Sequence, residues 1–468
     1  MTNFKKRKQP IRQKNQKILS VFSLIMINVI AVGSLRTLPI SAKLGAPLIF
    51  YYLLCGLFFL LPIGLITAEL ATAMPEKGGI YIWVREAFGK RWGFLTVWVQ
   101  WIYNIVWYPT ILGFVAATLA YIFYPDLLQQ KGYIVAVVLS VFWIATLLNY
   151  QGLKALSIIS TIGSLFGTLL PMLVIILLSI EWIISGKPMY IDINWDTIIP
   201  PFTSIHDFVL VTAILFGLMG LEMSAVHAKE VKNPQKDYPK ALLYSGILIL
   251  LFLTGASLAI AIVVPNKQLN LVTGMIEAFQ RFFNALNVPW LTPIIGISMV
   301  VGAISSVATW IVGPTKGLLV AAQDKSLPQW MGHTNAHGVP VNILLAQACI
   351  VTLLSLVYIF LPNVESSYWA LTELTAILAL FMYVIVFFAA IKLHYKLPNL
   401  RRPFKVPGGR FGLWVVCLLG ALMSIGAIIL SFLPPAQVDV GQQTTYQGLL
   451  IGGILITCLP AFLFAQNK

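Results

Sequence analysis

The sequence predicts an all-α integral membrane protein with twelve transmembrane helices. Three observations lead to this prediction: 59% of the 468 residues are hydrophobic, only 10% are charged, and long apolar runs recur along the whole chain. A soluble protein carries about 25% charged residues, whereas a membrane-spanning helix needs about 20 mostly apolar ones. A water-soluble enzyme is therefore not expected.

Twelve apolar runs, separated by charged or Pro- and Gly-rich segments, form the candidate spans. In chain order they are 18–42, 48–71, 93–123, 133–150, 158–184, 208–227, 241–264, 293–321, 343–360, 368–391, 411–432 and 448–464. The first run is too long for a cleaved signal peptide and lacks a small-residue cleavage site.

The basic residues predict the orientation of these spans. With the N-terminus in the cytoplasm, 25 Lys and Arg residues fall on the inner side and five on the outer side, and Arg36 remains inside a span. Cytoplasmic loops carry such an excess, so both termini are expected in the cytoplasm. The net charge of +15 is then a signal of topology, and nucleic-acid binding is not expected.

The centres of two spans contain residues of low helix propensity. Span one contains Gly33, Ser34 and Pro39, and span six contains Gly217 and Gly220. Unwound backbone inside a membrane has to face protein or a cavity. Two broken helices five spans apart are typical of an inverted five-plus-five repeat, whose half-helix ends bind a carboxylate and an ammonium group at the membrane midplane. The alternative is that these glycines only permit close helix packing.

This repeat divides the chain into seven predicted segments. They are a basic cytoplasmic tail (1–17), a first repeat of five spans (18–184), an outer loop (185–207), a second repeat (208–391), a basic cytoplasmic loop (392–410), two C-terminal spans (411–464) and a short cytoplasmic tail (465–468).

A second outer connection, 265–290, has apolar residues at helical spacing, which predicts a short amphipathic helix on the outer mouth. Because no soluble domain or phosphate-binding glycine loop is found, an ATP-driven pump is not expected.

Four ionisable residues fall clearly inside spans, where a charge is costly and a functional role is the default interpretation. Arg36 and Glu222 lie in or beside the two breaks, so we expect them to share a central cavity in which Arg36 holds a carboxylate. The alternative is that the two form a structural ion pair. Glu69 is expected to have a structural partner at the cytoplasmic end of span two. Glu373 lies near the outer end of span ten, where hydration is the alternative to a functional role.

Polar and aromatic residues of spans three and eight complete the predicted cavity. Span three carries Gln100, Tyr103 and Asn104, and in span eight Trp310 shares a helix face with Ser306. Packing is the alternative role for Trp310. The histidines, cysteines and acidic residues do not occur at metal-ligand spacing, so neither a metal nor another cofactor is expected.

Several segments resemble those of amino acid–polyamine–organocation transporters, and in particular bacterial glutamate/γ-aminobutyrate antiporters. MGLEMSAVH at 219–227, continued by NPQKDYP at 233–239, is similar to their sixth helix and the loop after it; LPIG at 61–64, AEL at 68–70, WIVGPTKG at 310–317 and SFLPP at 431–435 are similar too. The resemblance covers about 18–464, and it implies a bacterial inner membrane as the location. It implies a LeuT-type fold of two inverted five-helix repeats plus two C-terminal helices, and alternating access to an amino acid held between helices one, three, six, eight and ten.

The resemblance also implies that the backbone of the two breaks binds the α-carboxylate and α-amino groups of the substrate. The predicted substrate-binding residues are Val32, Gly33, Ser34, Leu35, Arg36, Gln100, Tyr103, Asn104, Phe216, Gly217, Met219, Gly220, Leu221, Glu222, Ser306 and Trp310. Ser306 stands where the antiporters have an acidic residue, and Arg36 lies in a break where they have another. A positive charge there would favour a substrate with an extra carboxylate.

The expected function is an amino acid antiporter, with glutamate or γ-aminobutyrate-like substrates. A proton- or sodium-coupled symporter remains the alternative, with Ser305 and Ser306 as candidate sodium ligands and Glu222 as a candidate proton carrier. A receptor or scaffold would instead have intact helices and a sizeable soluble domain. The expected partners are a small amino acid, the lipid bilayer and a coupling ion, either H⁺ or Na⁺, in a monomer or homodimer.

Overall fold

The computed structural model describes residues 20–75, 79–151, 163–200, 204–231, 233–324 and 326–466. The regular secondary structure of the described residues is helical, apart from one isolated bridge between Thr334 and Pro340. The α-helices are α1 (Val21–Val32), α2 (Leu38–Ala42), α3 (Leu48–Cys55), α4 (Leu61–Ala73), α5 (Ile80–Phe88), α6 (Lys90–Phe123), α7 (Lys131–Tyr150), α8 (Leu170–Ile184), α9 (Trp195–Ile198), α10 (Val211–Gly217), α11 (Pro234–Val263), α12 (Gly274–Ala285), α13 (Leu291–Gln323), α14 (Val341–Ser355), α15 (Val357–Phe360), α16 (Val364–Lys396), α17 (Gly409–Ser431) and α18 (Gln443–Gln466).

The described residues do not show all twelve predicted spans as separate helices of membrane-spanning length. Ten helices of the described residues are long and apolar enough to cross a membrane, or eleven when the bent pair α1 and α2 counts as one span. The predicted sixth span is represented by a shorter apolar segment, Val211–Ala225, because its helix is interrupted near the middle. The all-helical membrane class is therefore confirmed, and the count of twelve is not.

The seven predicted segments remain predictions. The predicted tail at 1–17 lies outside the described residues. So do residues 467–468 of the predicted C-terminal tail and the beginning of predicted span five, 158–162.

Two long helices form the centre of the molecule. In the most apolar stretch of α6 78% of the residues are buried, and in that of α16 83%, compared with 33% in α17 and 22% in α18. α6 packs against both α13 and α16. α17 and α18 therefore lie at the periphery, and the interior is built by the helices that precede them.

A close contact between two backbones joins α13 to the turn of π-helix that precedes α8. Gly167 in this π segment (Leu165–Leu169) faces Gly302 of α13, and a Cβ atom added to either would collide with main-chain atoms of the other. One turn away, the Ser298 hydroxyl donates to the Phe166 carbonyl oxygen at 2.7 Å. Because an added Cβ has no room at either residue, positions 167 and 302 both require glycine.

The connection 265–290, predicted to lie on the outer side, contains a helix, α12, where the apolar spacing predicts one. Met275, Ile276 and Phe279 on its inner face are all 0% exposed. α12 packs against α11 and α13. It therefore covers the ends of these helices.

Candidate functional site

The first break separates α1 from α2. After Val32 the backbone of Gly33 (φ −60°, ψ 119°) and Ser34 (φ −138°, ψ 121°) is extended. The chain then enters the short 3₁₀ turn Leu35–Thr37 and continues into α2. The segment Leu35–Ala42 is bent by 43° from α1. Because the first N–H groups of a helix have no partner within it, this second half-helix presents free donors at Ser34 and Leu35.

The second break lies between α10 and a 3₁₀ segment, Leu221–Glu230. Gly220 connects them with φ +118°, a conformation that side-chain-bearing residues rarely adopt. Its N–H donates to the Tyr383 hydroxyl oxygen at 3.0 Å, and that hydroxyl donates to Glu222 Oε2 at 2.6 Å. Tyr383 of α16 therefore holds the break in place. At the end of α10 the Leu215 and Phe216 carbonyl groups accept from the Leu218 and Met219 N–H groups, whereas the Gly217 carbonyl accepts no backbone hydrogen bond from the described residues.

A cavity of about 70 Å³ lies between the two breaks. A buried water molecule needs roughly 10–15 Å³ by the same measure, so the space holds several. Its lining residues are Ile30, Ala31, Val32, Gly33, Ser34, Leu35, Arg36, Thr37, Tyr103, Asn104, Trp107, Ile111, Phe114, Thr168, Phe216, Gly217, Met219, Gly220, Met299, Ala303, Ser306 and Trp310.

All but three of the predicted substrate-binding residues line this cavity. The exceptions are Gln100, Leu221 and Glu222. Gln100 lies one helical turn from Asn104 and donates through Nε2 to Met223 Sδ at 3.4 Å. Glu222 is 2% exposed and accepts the Tyr383 hydrogen bond instead. The expectation that Arg36 and Glu222 share the cavity is therefore correct only for Arg36.

Arg36 is a buried cation beside the cavity. Its side chain is 1% exposed, its Nη1 donates to Thr372 Oγ1 at 3.3 Å, and its guanidinium lies 4.6 Å above the Phe216 ring. Its Nε has no hydrogen-bond partner. Within the described residues no carboxylate pairs with it, so the alternative of a structural pair with Glu222 does not hold. A buried guanidinium without a counter-ion attracts an anion.

Two tryptophans form one wall of the cavity. The rings of Trp107 and Trp310 lie 6.0 Å apart with planes inclined by 58°. Ser306 and Trp310 were predicted to share one face of span eight, whereas Met299 and Ala303, which also line the cavity, were not predicted. These two precede Ser306 by seven and three residues and continue the same helical face, so the spacing already contained the signal.

Glu69 has the structural partner that its position predicts. It is 4% exposed, its Oε1 lies 3.1 Å from Arg402 Nε, and its Oε2 accepts the Val406 N–H at 2.8 Å. These contacts attach α4 to the loop that follows α16, away from the cavity. In the part of the chain that the structure describes, no three His, Cys, Asp or Glu residues form a metal-binding group.

Comparison with known proteins gives consistent results along nearly the whole chain. The family model for amino acid permeases matches residues 17–456. An uncharacterized transporter of Legionella pneumophila is 50% identical over 97% of both chains. A glutamate/γ-aminobutyrate antiporter of Lactococcus lactis is 32% identical over 96% of this chain and 90% of its own. A probable agmatine/putrescine antiporter of the same species is 25% identical over 97% of this chain and 96% of its own.

Proposed function

The chain belongs to the amino acid permease family, which makes it a membrane transporter rather than an enzyme, and we propose that it exchanges acidic amino acids across a bacterial inner membrane. In this proposal it has the LeuT-type arrangement of two inverted repeats, works by alternating access, and keeps both termini in the cytoplasm. The 32% identity to a glutamate/γ-aminobutyrate antiporter supports exchange of substrates of that class.

The two breaks supply complementary groups for a zwitterion. The free N–H groups at Ser34 and Leu35 begin a half-helix, and a helix N-terminus favours a negative charge, so they suit the α-carboxylate. The Gly217 carbonyl group at the end of α10, which accepts no backbone hydrogen bond from the described residues, suits the α-ammonium. Both sets border the same cavity.

The observation that carries the choice of substrate is the unpaired Arg36. An α-amino acid without a second acid group would leave this buried guanidinium uncompensated, whereas a side-chain carboxylate would accept from it. The exchange of a polyamine, suggested by the 25% identical relative, is disfavoured for the same reason. A dication in a small cavity would be repelled by Arg36.

The arrangement of the cavity fits an outward-facing state. Ile111, Phe114 and Met299 extend its wall towards the ends of α6 and α13 that the charge pattern places outside. On the opposite side, Asp324 accepts hydrogen bonds from the Tyr81 hydroxyl at 2.7 Å and from Arg85 Nη1 at 3.0 Å. This contact attaches α5 to the end of α13 and would keep the cytoplasmic side closed.

Uptake into proteoliposomes tests the proposal. Vesicles preloaded with L-glutamate, γ-aminobutyrate, L-glutamine or agmatine are mixed with labelled L-glutamate outside, with and without proton and sodium gradients. We expect label to enter only vesicles that contain a counter-substrate. Uptake into empty vesicles driven by an ion gradient would instead establish symport, and exchange confined to agmatine would contradict an acidic substrate.

A further inference from the structure

Glu373 is a buried carboxyl group that the proposed binding site does not use. It lies on α16, and its side chain is 0% exposed. Its Oε1 lies 2.6 Å from Thr212 Oγ1 of α10, and its Oε2 has no hydrogen-bond partner. Throughout the described ranges, no Lys, Arg or His side chain forms an ion pair with it.

The groups that face Glu373 from the neighbouring helices are hydroxyls. Thr212 approaches from α10, Ser431 from α17 and Tyr446 from α18. Arg36, the buried cation beside the cavity, donates to the hydroxyl of the neighbouring Thr372 instead. A carboxylate in apolar surroundings with only neutral partners is strongly disfavoured, and such a group takes up a proton to become neutral.

The hydrogen bonding of Thr212 supports this conclusion independently. Its Oγ1 lies 2.7 Å from the Val209 carbonyl oxygen and 2.6 Å from Glu373 Oε1. A hydroxyl group has one hydrogen and therefore donates fully to only one of these two acceptors. When Thr212 donates to Val209, the second short contact needs a hydrogen from the carboxyl group. A protonated Glu373 supplies it and satisfies both contacts.

The position of Glu373 connects it to the part of the molecule that has to move. Thr212 precedes Phe216 by one turn on α10, and Phe216 lies in the cavity wall below the guanidinium of Arg36. Thr372, the neighbour of Glu373 in sequence, binds the same guanidinium. Any displacement of α10 from α16 would therefore separate Glu373 from Thr212 and alter the surroundings of Arg36 together.

We propose that Glu373 is a proton-binding site of the transporter, occupied in this conformation and emptied when α10 moves away from α16. On release the O–H bond of the carboxyl group breaks, the proton passes to water that enters the gap, and the carboxylate remains. The reverse step restores the neutral acid, so one proton is bound and released for each cycle. This inference rests on the proposed transport activity, because it assigns a co-substrate to the same conformational change.

Proton movement in proteoliposomes tests the inference. Vesicles with a trapped pH-sensitive dye are compared for the wild type, Glu373→Gln and the control Glu365→Gln, a carboxyl group at the outer end of the same helix that accepts from the Leu271 N–H. We expect labelled-glutamate exchange by Glu373→Gln to continue, with its dependence on pH flattened and its proton signal lost, while Glu365→Gln behaves as the wild type does. An unchanged pH profile and proton signal in Glu373→Gln would overturn the inference.

A measurement that needs no substrate keeps the inference testable if Glu373→Gln does not fold. Infrared difference spectra of the wild type and Thr212→Val in lipid nanodiscs report the carbonyl stretch of protonated carboxyl groups at neutral pH. Loss of the Thr212 hydroxyl should shift this band, and identical spectra would overturn the inference. If the band shifts but no amino acid is exchanged, the proposed function fails and the proton site stands. If amino acids are exchanged but the spectra are identical, the proposed function stands and the proton site is overturned.

Discussion

The Tyr383 hydroxyl donates to Glu222 Oε2 at 2.6 Å, and its oxygen accepts the N–H of Gly220 at 3.0 Å. One phenol group therefore fixes both the positive-φ residue of the second break and the carboxyl group that follows it. Neither partner belongs to α16, so this contact determines where the second half of the broken helix begins, at Leu221.

Tyr383→Phe removes this hydroxyl and retains the edge-to-face contact of the ring with Phe59. We expect the apparent Tm in detergent to fall, because each buried polar group left unsatisfied costs about 1–3 kcal/mol, and we expect exchange to slow because the break is less well ordered. Tyr395→Phe is the control, since Tyr395 is 51% exposed. Equal thermal unfolding of the two variants would contradict the role of the hydroxyl.

Arg36→Gln tests the selectivity of the cavity. A hydrogen bond to a charged group contributes about 1.5–3 kcal/mol, which corresponds to roughly a 10- to 100-fold change in KM. We expect a change of that size for L-glutamate and a much smaller one for L-glutamine. Arg36→Lys keeps the charge but loses the forked donors. Its KM for L-glutamate should therefore lie between those of the wild type and Arg36→Gln. A parallel loss for both substrates would show that Arg36 is structural.

Gly220→Ala tests the backbone of the second break. An added Cβ would find ordinary contact distances, the nearest being 3.4 Å to Val32 Cγ2, so the cost comes from the positive φ alone. We expect a loss of about 1–2 kcal/mol in unfolding free energy together with slower exchange. Gly452→Ala is the matched control, because Gly452 lies in α18 with no atom within 4 Å of an added Cβ. Helix propensity predicts that this control is neutral or slightly stabilising.

The contact of Asp324 with Tyr81 and Arg85 predicts a dependence of stability on pH. The hydrogen bond from Tyr81, followed by that from Arg85, holds the pKa of Asp324 below its ordinary value. Because the folded-state pKa is the lower one, the stabilisation is complete above the unfolded-state pKa of about 3.9 and is lost as the pH falls through the folded-state value.

Asp324→Asn should therefore lower the Tm by a constant amount between about pH 8 and about pH 5, and the difference from the wild type should shrink only below about pH 4. Glu181→Gln is the control, because Glu181 forms an exposed pair with Lys187 at 3.8 Å, and such pairs contribute little. A difference that disappears near neutral pH would show that Asp324 is not the responsible group.

The sequence was sufficient to locate the two breaks because glycine and proline act on the backbone locally. The structure places the interruptions at Gly33–Ser34 and between Gly217 and Gly220. The helical spacing of Ser306 and Trp310 likewise predicted that they share one helix face, and both residues line the cavity. Helical periodicity and backbone propensity depend on neighbouring residues, which a sequence shows directly.

The partners of the buried charges could not be predicted in this way. Arg36 donates to Thr372, 336 residues later, and Glu222 accepts from Tyr383, 161 residues later. Proximity of Arg36 and Glu222 to the two breaks predicted that they share the cavity, with a mutual ion pair as the alternative, yet each has a different partner on α16. Which side chains meet across the interior depends on how the helices are rotated against one another, and no local pattern encodes that.

The touching backbones of Gly167 and Gly302 limit how the transporter is able to change shape. Two main chains in contact without intervening side chains have no soft layer between them that could stretch or slide. We therefore expect the π segment before α8 and the middle of α13 to move together as one rigid unit in the proposed transport cycle. In that proposal, the two broken helices on the other side of the cavity open it towards either side of the membrane.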